Sequence, residues 1–261
     1  MPYGKILRHR GETVTLAATG SIGWAQTRGI PPGMNMVEIE APSTTKENIL
    51  VALSPKIVKV WFYDASATSY IDLTAALTDR NTSTASGTNL NEMQTADFLY
   101  VGCADRYRGL SVDVANTNSA GTAAALVTFW NGTIWTNITP TDGTFSTMTL
   151  AQDGLITWTV PTTWVKTTVN SEPSSLYWTR YAVSAALADT SVSIAELVSL
   201  ANLTLNSGDT DAEGIDRFLL QSNAQSLPPY CYRFDSEVFG GIELTSISIT
   251  SAANVNWYRV A

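Results

Sequence analysis

Along most of the chain, apolar and polar positions alternate in short runs, and these runs predict β-strands. "KIVKVWFYD" at 56–64 puts Val58, Val60 and Phe62 on one side of a strand by period-two alternation. "DFLYVGCA", "RGLSVDVA", "ALVTFW", "TIWTNI", "FSTMTLA", "GLITWTVP", "SLYWTRYAVSAAL" and "SVSIAEL" follow in order, separated by turn-rich polar links, and "ATSYIDLTAAL" joins the first two. No segment carries a convincing helical period. Many short strands at regular spacing indicate an all-β fold, a β-sandwich or jelly roll, over residues 56–200. Residues 1–55 are punctuated by Gly29, Pro31, Pro32 and Gly33, with "MVEIE" as a short strand, and read as an extended N-terminal arm with a few strands. Residues 201–261, ending in "GGIELTSISITSAANVNWYRVA", read as a C-terminal β-rich extension, either a small second unit or strands that complete the sandwich.

The sharpest local signal is "LVTFWNGTIWTNI", residues 126–138. Asn131-Gly132 between β-rich apolar runs predicts a hairpin, because a tight turn needs positive φ at its centre. A two-residue loop would set Trp130 opposite Thr133, Phe129 opposite Ile134 and Thr128 opposite Trp135, making the tryptophans a diagonal pair on one face. A four-residue loop would pair them directly; only a three-residue loop separates them. In the two-residue register Phe129, Ile134, Val127 and Ile138 share the other face. One face then serves the core, and the face with Trp130 and Trp135 needs a cover from this chain or from a neighbour. Trp24, Trp61, Trp158, Trp164, Trp178 and Trp257 are the residues expected to help cover it.

Charge narrows the functional classes. Only 15% of the 261 residues are charged and the net charge is −8, so a chain-wide basic footprint for nucleic acid is absent. Lys5, Arg8 and Arg10 stand within the first ten residues with no acid among them. They mark either a solvated terminus or an arm that lies on an acidic partner surface. His9 is the only histidine and stands in the expected arm, which argues against a Ser-His-Asp triad, a Cys-His pair or a multi-histidine zinc site within one chain. No Gly-rich phosphate cradle is present. The carboxylates are scattered, and their spacing singles out no glycosidase pair. "DTDAEGID" at 209–216 resembles the start of a calcium loop, but the position of the closing acid is Leu220, so a solvated acidic turn is expected. Neither a cofactor nor a metal is expected. Cys103 and Cys231 are expected as free, buried thiols rather than as a disulfide. The N-terminus lacks a signal-peptide apolar core and no run reaches the length of a membrane helix, so synthesis in a cytoplasm and no membrane partner are expected.

Residues 97–184 carry a compound pattern: a strand ending in Tyr100-Val101-Gly102, the "FWNG..W" hairpin, a "DGT" link, a "G.ITW..P..W" strand and a "YW.R" strand. This pattern resembles a recurring module of tailed-bacteriophage structural proteins. The resemblance implies a jelly-roll-like, non-enzymatic virion protein, either a capsid decoration (cement) protein or a tail-associated one. It implies the major capsid protein or other virion proteins as partners, self-association as a homo-oligomer with a trimer favoured, and location in the virion. The candidate partner-binding residues are Lys5, Arg8, Arg10, Trp130 and Trp135. The alternative is a tail- or fibre-associated protein that binds a host glycan through exposed aromatics.

Overall fold

The computed structural model describes residues 6–16, 26–31, 33–40, 47–79, 90, 93–187, 191–202, 217–222, 230–233, 239–246 and 251–260. Its regular structure is almost entirely antiparallel β. Two compact units are present: Pro55–Asn202, and a second made from both ends of the chain, Met1–Ser54 with Leu203–Ala261.

The unit Pro55–Asn202 is a β-sandwich. One sheet has six strands: β5 (Ile57–Asp64), β6 (Ser69–Asp72), β7 (Phe98–Cys103), β9 (Ala125–Trp130), β10 (Trp135–Ile138) and β13 (Tyr177–Val183), in the order β10-β9-β13-β7-β5-β6. The other has four: β8 (Gly109–Asn116), β11 (Thr141–Asp142), β12 (Gly154–Thr157) and β14 (Ser193–Ser199), in the order β11-β12-β8-β14. The core between them takes alternate residues from each side, among them Val60, Leu99, Val127 and Tyr181 from the first sheet and Leu110, Val112, Ile156 and Leu197 from the second. Tyr107 is fully buried in this core, where its hydroxyl donates to Val101 O at 2.8 Å and pairs with Thr179 Oγ1 at 2.6 Å. Cys103 is a free, buried thiol in the same core, and burial pushes its pKa far up, which leaves it inert.

Three local expectations change. A bulge between Ile57 and Lys59 breaks the alternation of β5, so Ile57, Val60 and Phe62 face the core while Val58 packs on the opposite face. "ATSYIDLTAAL" splits into β6 and a one-turn helix α1 (Thr74–Thr78), because Asp72 Oδ1 accepts from both the N–H and the hydroxyl of Thr74 and turns the chain there. "FSTMTLA" forms turns rather than a strand, with Leu150 at φ 59° and buried.

The second unit has two four-stranded sheets. One holds β1 (Ile6–Leu16), β3 (Met36–Glu40), β16 (Tyr230–Arg233) and β18 (Ser251–Val260) in the order β1-β18-β3-β16. The other holds β2 (Gln26–Gly29), β4 (Glu47–Pro55), β15 (Arg217–Ser222) and β17 (Phe239–Ser246) in the order β15-β4-β17-β2. Val37, Ile39, Val51, Leu53, Ile242, Leu244, Val255 and Trp257 form its core. Over residues 6–16 a strand replaces the expected arm. Residues 6–16 are an edge strand paired with β18 from Ile6↔Val260 to Leu16↔Ser251. Backbone pairing over a whole strand satisfies N–H and C=O groups that a free arm would leave to water.

Candidate functional site: an aromatic sheet face

The "FWNG..W" hairpin closes with a four-residue loop, Asn131 to Ile134, not the two-residue turn that Asn-Gly suggests. Trp130 pairs directly with Trp135, and Phe129 with Thr136. The Asn131 side chain explains the choice. Its Oδ1 accepts from the N–H groups of Thr133 and Ile134, both at 2.9 Å, and its Nδ2 donates to Thr136 Oγ1 at 2.9 Å. These bonds stabilise the longer loop, and Gly132 takes φ 99° within it. Ile134 therefore sits in the loop, 60% exposed, instead of joining Phe129 on the core face.

Both tryptophans lie on the face of the six-stranded sheet that turns away from the sandwich core, and both are half-buried. Their rings meet edge to face with centroids 5.7 Å apart. They do not stand alone. Trp135 meets Tyr100 at 5.5 Å, Tyr100 meets Tyr70 at 6.0 Å, Tyr70 meets Tyr63 at 4.8 Å and Trp61 at 6.4 Å. Phe98 lies 6.3 Å from Tyr63 and 6.0 Å from Tyr100. A continuous track of rings thus runs from β10 to β6, across the strands. Trp61, Tyr63, Tyr70 and Phe98 are half-buried; Tyr100 is buried beneath them.

Two cations are built into this track. The Arg180 guanidinium carbon lies 4.4 Å from the ring centroids of both Phe98 and Trp135, and Arg180 Nε donates to Thr128 Oγ1 at 3.0 Å. Burial raises the pKa of Tyr100, and a hydrogen bond with Arg180 partly offsets the rise. Lys59 Nζ stands 4.5 Å over the Trp61 ring and binds Asp72 Oδ2 at 2.6 Å and Glu172 Oε2 at 3.8 Å. Burial pushes the Asp72 carboxyl up, but hydrogen bonds from Lys59 and Thr74 outweigh it and hold the carboxyl below its ordinary value. Lys59 is thus neutralised, whereas no carboxylate among the described residues pairs with Arg180.

One end of the face is covered by the chain itself. Trp178 is fully buried there with Val169 and Leu176, and its Nε1 donates to Thr167 O at 2.9 Å. Gly102 makes room for this ring, since a Cβ at that position would stand 2.8 Å from it. Of the tryptophans expected to provide cover, Trp61 and Trp178 lie on this face, Trp158 and Trp164 are in the core between the sheets, Trp257 is in the core of the other unit, and Trp24 lies outside the described residues.

Of the basic candidates, Lys5 lies outside the described residues, while Arg8 and Arg10 sit on β1 opposite Arg259 and Trp257 of β18. The sheet therefore separates the candidates: Trp130 and Trp135 come together, and the basic residues belong to the other unit. The calcium-loop candidate at 209–216 also lies outside the described residues, and the described ones contain no cluster of three His, Cys, Asp or Glu side chains placed for a metal. Sequence reasoning missed Tyr63, Tyr70, Phe98, Tyr100 and Arg180, and took Trp61 only as a cover. The signal was available in the other phase of each alternating strand: Trp61 and Tyr63 in "KVWFYD", Phe98 and Tyr100 in "DFLY", and Arg180 in "YWTR" all occupy positions that a one-sided sheet would fill with small polar residues.

Trp130 is the outermost ring of the track, so Trp130→Ala is expected to cost only about 1 kcal/mol, a fall in melting temperature of roughly 2–4 °C. A fall of about 10 °C or more in a calorimetric scan would place Trp130 in the framework instead.

No protein-family model matches the chain. No curated protein matches it either.

Proposed function

We propose that this chain is a non-enzymatic structural protein of a tailed-bacteriophage virion, of the capsid decoration (cement) type, that stabilises the head by binding capsid subunits as a homo-oligomer, most simply a trimer. The observation that supports this reading concerns the motif residues of 97–184. Trp158, Trp164 and Trp178 are buried, and each indole N–H donates to a backbone carbonyl: Tyr107 O at 3.0 Å, Trp178 O at 3.1 Å and Thr167 O at 2.9 Å. The pattern that resembles the phage module is therefore framework, holding loops to a sandwich. A module of that kind carries its function on its surfaces rather than in a catalytic constellation. Because residues 6–16 are committed to a sheet, attachment by a free arm over that stretch gives way to attachment through a sheet face.

Quantitative mass spectrometry of purified particles tests the reading. On the order of hundreds of copies per particle is the expected result for a lattice-bound decoration protein, since such proteins follow the symmetry of the shell. A dozen or fewer would overturn it in favour of the tail- or fibre-associated reading.

A further inference from the structure

We propose that the aromatic face of the six-stranded sheet binds a carboxylate-bearing polysaccharide, with Arg180 taking a sugar carboxylate and the flanking rings of Trp135 and Phe98 stacking on the sugar units. The inference does not depend on where in a particle the chain sits.

The first argument is shape. The rings of Trp130, Trp135, Tyr100, Tyr70 and Tyr63 follow one another at 4.8–6.0 Å across the sheet, with Tyr100 buried beneath the others. A track of that form fits an extended polymer laid across the strands. The apolar C–H face of a pyranose packs on an aromatic ring, and the hydroxyls around its rim remain free for water or for polar neighbours. The second argument is the company these rings keep. Of the exposed large aliphatic residues, Ile134 and Val165 lie at the hairpin end beyond Trp135, Ile71 pairs with Phe62 on the core side of the sheet, and Leu126 alone is on the aromatic face, two residues from Thr128 on β9. Rings and Arg also dominate the centres of protein interfaces, so the choice between a protein and a polysaccharide falls to charge.

The third argument is charge, and it names the ligand. Lys59 is balanced by Asp72 and Glu172, whereas Arg180, in the interior of the track, faces no carboxylate among the described residues. Its bonds to Thr128 and Tyr100 use fewer N–H groups than a guanidinium offers. A planar cation held between two rings, with donors to spare, is matched in geometry and charge by a carboxylate.

Affinity electrophoresis of the full chain in gels containing polygalacturonate, hyaluronate or polysialic acid tests this. Retardation by at least one of the three is expected, with carboxyl-reduced polygalacturonate and dextran giving none. Arg180→Gln and Trp135→Ala should each weaken retardation at least tenfold, with circular dichroism reporting the fold of both. The comparison with the carboxyl-reduced polymer uses the unmutated chain and so holds even if a variant unfolds. The proposal is overturned if none of the three acidic polymers retards the chain, as expected of a face that docks a protein. Equal retardation by the reduced polymer, or by a folded Arg180→Gln chain, would overturn it as well.

Discussion

Trp164→Ala is expected to cost the unit Pro55–Asn202 about 3–5 kcal/mol and to lower its melting temperature by on the order of 10 °C. Trp164 is fully buried, with Tyr107, Tyr177 and Phe129 around it at ring distances of 5.1, 5.8 and 6.2 Å. Truncation removes the apolar contacts of a large indole and leaves a cavity walled by rigid rings that cannot collapse into it. It also removes the donor to Trp178 O, and it loosens the segment whose backbone carbonyl at 164 accepts from Arg106 Nη2 at 2.8 Å. Trp164→Phe separates the two effects. It refills much of the volume but removes the indole donor to the Trp178 carbonyl, so a loss of roughly 1–3 kcal/mol is expected. Calorimetry on the two variants checks both figures. A Trp164→Ala protein that melts within about 3 °C of the parent would mean that the "P..W" segment is peripheral and that the framework reading of the motif fails.

The contrast between Trp164 and Trp130 shows what was legible in the sequence. Alternation and the Asn131-Gly132 pair were enough to predict strands, the hairpin and the shared face of Trp130 and Trp135, since all of these follow from period two and local turn chemistry. The loop length was not, because it is decided by the three hydrogen bonds of one Asn131 side chain. Nor was the neighbourhood of Trp135. Tyr100 reaches it because β13 pairs with both β9 and β7, so strands distant in sequence become adjacent in the sheet. Non-local strand order leaves no trace in a local hydrophobic pattern, which is also why the two chain ends were read as separate segments although β1 and β18 pair along their full length. The bulge in β5 has a similar origin: it is a property of the pair β5–β7, and the sequence of β5 alone predicts an unbroken strand.

Gly109→Ala is the second substitution expected to act strongly, with a loss of about 3 kcal/mol, at the upper end for added bulk in a packed interior. Gly109 opens β8 between two neighbours. On one side it pairs with Thr157 of β12; on the other its carbonyl accepts from Leu200 N at 2.9 Å, just past the end of β14. A Cβ here would run into the carbonyl oxygen of Ile156 and would stand 3.0 Å from Thr157 Cα and 2.9 Å from Leu200 Cδ1. Backbone atoms are the main obstacle, and a rotamer change cannot move them, so β12 must shift away from β8 to admit one methyl. That shift strains the Trp158 N–H bond to Arg108 O, 2.8 Å long, and through it the burial of Trp158. Gly132→Ala is the comparison: the space beside it is open, with Val165 Cγ2 at 3.7 Å, and only its φ of 99° is unfavourable, so about 1 kcal/mol is expected. Urea unfolding of the two variants should therefore rank Gly109→Ala well below Gly132→Ala in midpoint. Equal midpoints would show that β12 yields freely to β8, and that the four-stranded sheet is less firmly seated on the aromatic-faced one than its packing implies.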